Sequence, residues 1–84
     1  MNIVIEMSLP VYDGFMDQCP PSHPEYETLK NGVIVRRSKG NRFERILEIH
    51  CSVERAKSLL DLAKQVYPDA VPDIEKAIAA PRDS

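Results

Sequence analysis

Gly40 and Asn41 stand between two runs that read as strands, Val33-Ile34-Val35-Arg36-Arg37 and Phe43 to His50. A two-residue connection between such runs is a β-hairpin, and glycine in its first position supplies the positive φ that a type II′ turn requires. This loop fixes the pairing: Arg37 opposite Glu44, Val35 opposite Ile46, and Ile34 opposite Leu47. Opposite residues share a face, so Ile34, Phe43, Leu47 and Ile49 are predicted to form one apolar side. Moving the loop back to Lys39-Gly40 sets Ile34 against Arg45 and Val35 against Glu44, a poorer solution.

A third strand is predicted from Asn2 to Leu9, where Ile3, Ile5, Met7 and Leu9 alternate with Val4, Glu6 and Ser8. Pro10, which has no ladder N–H, is expected to stop it. From Pro10 to Thr28 there are four prolines (Pro10, Pro20, Pro21, Pro24), four acids (Asp13, Asp17, Glu25, Glu27) and no Lys or Arg. This reads as a long acidic, proline-rich loop over about 10–28, whose Tyr12, Phe15, Met16 and Tyr26 can pack onto the body. Asn31-Gly32 is a turn into the hairpin.

Ser52 is a good N-cap for a helix running to Tyr67, where Pro68 ends it. Its apolar residues, from Val53 and Ala56 through Leu59, Leu60, Leu62, Ala63 and Val66, cover about half the circumference. A stripe that wide needs two neighbours. The edge made by Leu62 and Val66 is expected to meet a second helix from Pro72 to about Ala80, with Ile74, Ala77 and Ile78 facing inward. The order is therefore β-loop-β-β-α-α. It describes an α+β fold, a small three-stranded, mainly antiparallel sheet with two C-terminal helices on one face.

At 84 residues the chain has room for one domain, 1–84, with a tail at 81–84 expected to fray. No apolar run reaches the ~18 residues of a membrane span, and the opening residues lack the basic region of a secretion signal. A cytoplasmic location with reduced Cys19 and Cys51 is the expectation. The formal charge of −2 argues against a generally basic nucleic-acid binder, but it is unevenly spread. Arg36, Arg37, Lys39, Arg42 and Arg45 lie within ten residues, offset there only by Glu44, so the rest of the chain carries −6.

That basic hairpin is the strongest candidate site. Guanidinium groups on a two-stranded ribbon can grip acidic side chains of a protein partner or the phosphates of a nucleic acid. Arg36 and Arg45 fall opposite each other, an unfavourable pair unless an acid or anion lies near. Val33, Val35 and Ile46, with Val4, fall on the sheet face away from the predicted helices. They form either a protein interface, a homodimer included, or a patch that the 10–28 loop covers.

Two further readings rank lower. Cys19, His23, His50 and Cys51 are the right kinds and number of ligand for tetrahedral zinc, although His50 and Cys51 point to opposite sides of one strand. Catalysis has only a loose thiol–imidazole pairing, Cys19 with His23 or His50, in no specific motif, and a core this small is expected to leave little room for a ligand pocket. The sequence thus reads as a non-catalytic interaction or regulatory module with a macromolecular partner and no cofactor. Nucleic-acid binding is the first alternative and a zinc-stabilised domain the second.

Overall fold

Strand β1 (Asn2–Ser8) sends Ile3, Ile5 and Met7 to one face, and all three are buried in the computed structural model, which describes residues 2–80. It pairs antiparallel with β3 (Arg42–Ser52), setting Ile5 opposite Ile49 and Met7 opposite Leu47. On the other side of β3 lies β2 (Val33–Lys39), also antiparallel, giving the order β1-β3-β2. The hairpin register is the one read from the sequence: Arg37 faces Glu44, Val35 faces Ile46 and Ile34 faces Leu47. Gly40 takes φ 63° while no other described residue has positive φ, as a glycine-first two-residue turn demands.

The segment expected to be a loop is instead largely helical. Helix α1 spans Leu9–Gln18 and a short helix α2 spans Tyr26–Lys30. Pro10 does not simply end the strand; it sits in the first turn of α1, where its missing N–H is harmless and its fixed φ suits a helix. Ser8, the last strand residue, is also the N-cap, its hydroxyl accepting from the Val11 N–H at 3.4 Å. The Tyr12 hydroxyl donates to the Leu29 carbonyl at 2.8 Å and ties α1 to α2.

Helix α3 (Val53–Val66) begins on the predicted cap, with the Ser52 hydroxyl accepting from the Arg55 N–H at 3.2 Å. Tyr67 ends it, a 3₁₀ turn follows at Pro68–Ala70, and α4 runs over Val71–Ala79 with Pro72 in its first turn. Leu62, Ile74 and Ala77 are buried where α3 meets α4, the second neighbour that the wide stripe of α3 required. The proposed tail at 81–84 lies outside the described residues.

The α+β fold read from the sequence holds, a three-stranded antiparallel sheet with α3 and α4 packed against it, and α1 and α2 add further cover to the same core. Phe15 of α1 stacks on Tyr67 with ring centroids 6.4 Å apart, so α1 shares the side of the sheet occupied by α3. Helix α4 instead packs against α3 and β1, the strand at one edge of the sheet. There Val4, which points away from Ile3 and Ile5, is only 7% exposed and lines a shallow hollow with Ala77 and Ala80.

Candidate partner-binding hairpin

The reach of the hairpin follows from strand lengths. β1 pairs with β3 only from Ile46 to Ser52, whereas β2 pairs with it from Arg42 to Glu48. Residues Arg42–Arg45 therefore belong to a two-stranded ribbon that extends past β1. This corrects the expectation that Ile34 and Phe43 join the core beside Leu47 and Ile49. Leu47 and Ile49 are buried, but Phe43 is 67% exposed and Ile34 60%. The reason is physical: Phe43 lies on the ribbon beyond the end of β1, and Ile34, although level with Leu47 and Met7, sits on the outer strand β2, beyond the cover that the helices give to β1 and β3.

Arg36 and Arg45 sit directly opposite each other on that same face and both are exposed. The Arg36 guanidinium lies over the Phe43 ring, 4.8 Å from its centroid, a cation–π contact that holds the arginine along the ribbon. Among the described residues, Arg36, Arg42 and Arg45 have no carboxylate within ion-pair distance, while Lys39 lies 3.9 Å from Glu44. Ile34, Arg36, Phe43 and Arg45 thus make a continuous surface, apolar and cationic together.

Arg37 is different. It is level with Glu44, yet its guanidinium contacts Glu6 on β1 and lies 3.3 Å from Glu48, which stands opposite Val33. Its side chain must therefore run back across the second face, past Val35 and Ile46. Glu6 and Glu48 are themselves opposite each other, and the arginine offsets their repulsion. The Glu6 hydrogen bond is the largest cause pushing the Arg37 pKa up. Arg37 is thereby engaged within the chain, although its side chain is still 38% exposed. It also explains why Val35 and Ile46 are half-buried while Val33 remains 49% exposed. The 10–28 segment plays no part in this. Its Val11, Tyr12, Phe15, Met16 and Tyr26 all pack on the main core, a cluster that Val4, Val33, Val35 and Ile46 do not join.

The four Cys and His residues do not converge on one point among the described residues. His23 Nδ1 accepts from the Glu25 N–H at 3.0 Å, whereas His50 Nε2 lies 3.1 Å from Glu48 Oε1. Cys19 and Cys51 are both buried and unpaired, and burial pushes both thiols up. The nearby Glu25 carboxylate raises Cys51 further, with Arg55 opposing it. Among the described residues no three His, Cys, Asp or Glu side chains converge as metal ligands.

One arrangement gave no signal in the sequence. Glu25, 7% exposed, accepts from Arg55 Nη1 at 3.2 Å and from the Thr28 hydroxyl at 3.1 Å, pinning α2 to the start of α3. Beside it is an open depression of about 530 Å³ lined by Thr28, Asn31, His50, Cys51 and Arg55, larger than a core of this size was expected to leave. No periodicity or motif marks either feature, because Glu25 and Arg55 are thirty residues apart and the depression draws on separate segments of the chain. No known protein family, curated protein or solved structure matches the chain.

Proposed function

We propose that the chain is a non-catalytic interaction module that holds a protein partner on its projecting hairpin. The observation that carries this reading is the exposed face made by Ile34, Arg36, Phe43 and Arg45. Two directly opposed arginines repel, and apart from the Arg36–Phe43 contact the two large apolar side chains stand in water, so this surface adds little to the stability of the isolated chain. A partner offering carboxylates and apolar groups reverses both terms. On the reverse face of the hairpin Arg42 adds a cation near the turn and Val33 adds apolar area. The two unpaired thiols fit a reducing compartment such as the cytoplasm. No helix among the described residues is long and apolar enough to cross a membrane.

Nucleic-acid binding is a second reading, favoured by the open Phe43 ring among arginines. It ranks below the first because stacking platforms use several rings. Phe15 is buried here, Tyr12 is half-buried with its hydroxyl bonded, and Arg36 already occupies one side of Phe43.

A labelled glutamate-rich peptide and a labelled single-stranded oligonucleotide, titrated in parallel at low salt, test the choice. Peptide binding that weakens by roughly tenfold in the R36E/R45E variant and falls with added salt supports the proposal. Preference for the oligonucleotide would move the assignment to the second reading. Equal binding by the parent and the variant removes the hairpin from both.

A further inference from the structure

The two edges of the sheet are treated differently. α4 packs along β1, but among the described residues β2 pairs only with β3 and has no further strand beside it. Edge strands are ordinarily blunted by proline, a bulge, covering structure or charge. β2 contains no proline, and its register with β3 runs without interruption from Val33 to Lys39. Charge is the one such device it carries, and that charge has a direction. The strand is divided into an apolar half, Val33-Ile34-Val35, and a polar half holding Arg36, Arg37 and Lys39, with no acid in either.

From this we infer that the protein partner supplies an extended segment that joins the open edge of β2 as a fourth strand, with β-branched or aliphatic residues at one end and acids at the other. This rests on the hairpin reading above and names the form of its ligand. Backbone hydrogen bonds to β2 give affinity without sequence, and side chains on the two sides of the added strand give selectivity. On one side the added strand meets Ile34, Arg36 and, beyond them, Phe43 and Arg45. On the other it meets Val33 and Val35.

Charge also decides against a second copy as the occupant. Full antiparallel pairing of two β2 strands would set Arg36 against Arg36, Val35 against Arg37 and Val33 against Lys39. Every apolar residue but Ile34 would then face a cation, and the central pair would repel. An acidic segment instead places a carboxylate beside Arg36 and an aliphatic group beside Val35.

The test uses the full chain, isotope-labelled, with capped peptides made of a valine block and a glutamate block in either order. A companion peptide has the same side chains but N-methyl groups at alternate residues. Amide exchange is read along β2, light scattering reports oligomeric state, and the oligonucleotide serves as the other macromolecular probe. The expected result is binding of one or both unmethylated peptides, with slowed exchange of at least some amides between Val33 and Lys39. Binding should fall by at least roughly tenfold for the methylated peptide, whose lost donors cannot be replaced. If both forms bind equally and β2 exchange is unchanged, strand addition is overturned while the hairpin remains an interaction surface. If the chain dimerises and β2 is protected without peptide, a second copy is the occupant and the inference is wrong. If only the oligonucleotide binds, or nothing does, the inference falls together with the reading beneath it.

Discussion

The guanidinium of Arg37 on β2 reaches the carboxylate of Glu6 on β1, crossing the sheet over the intervening strand β3. On the way it passes Glu48, which faces Glu6 across the β1–β3 pair. One cation therefore holds two opposed carboxylates and covers the apolar middle of the second face. Replacing it by methionine keeps much of the stem and removes the charge. R37M should melt at a lower temperature than the parent at neutral pH. The difference should narrow at high salt, which screens the repulsion between the two carboxylates. Thermal unfolding at several salt concentrations checks this; a gap independent of salt would mean that the stem, not the charge, matters.

The buried Glu25 carboxylate predicts a local loss. E25A removes the acceptor of the Thr28 hydroxyl, which still accepts from Arg55 Nη1 at 3.5 Å, while Arg55, more than half exposed, can regain water. The cost should therefore be about 1–2 kcal/mol, below that of a fully buried ion pair. Hydrogen exchange should quicken first at Leu29 and Asn31, whose N–H groups bond to the Glu25 and Glu27 carbonyls in the five-residue α2. Uniform acceleration along the chain would contradict the assignment of Glu25 as a local anchor.

Gly14 predicts a clash. Alanine in a helix is ordinarily better than glycine by about 1 kcal/mol. Here an added methyl would strike the Tyr67 ring and its hydroxyl, so G14A should instead destabilise by about 1–2 kcal/mol. In a Y67A background the same substitution should be neutral or stabilising. Additive effects in that double-mutant cycle would refute the contact.

The two thiols predict slow chemistry. Burial raises both Cys19 and Cys51 and holds them neutral at pH 7, so iodoacetamide should label the folded chain far more slowly than the unfolded one. The same shifts set a pH dependence. A thiol raised in the folded state stays protonated while the unfolded chain ionises above its ordinary value of 9.0. Stability from this source is thus fully present below that pH and declines as pH rises through the folded-state values. Serine at position 51 should flatten the alkaline limb of the stability curve; an unchanged limb would assign the decline elsewhere.

Much of the sheet was legible because alternation and the Gly40-Asn41 turn act within a few residues of each other. α1 was not, since Pro10 reads equally as the end of a strand and the first turn of a helix. Ser8, two residues earlier, does not decide between them, because it pairs with Ile46 as the last strand residue and caps the helix as well. Gly14 further weakens the helical signal, for a reason that lies at Tyr67. The arginine cluster was visible as composition, but its division was not. That Arg37 turns inward while Arg36 and Arg45 stay open depends on β1 lying against β3, which brings Glu6 beside Glu48.

The placement of β1 between β3 and α4 has a kinetic consequence. The strand that comes earliest among the described elements is clasped by one from the middle and by the last described helix. Contacts this distant in sequence are slow to form. On the ribosome the hairpin can close early, yet Leu47 and Ile49 would wait uncovered until the later helices emerge, a window in which chaperones or stray chains could seize the nascent polypeptide.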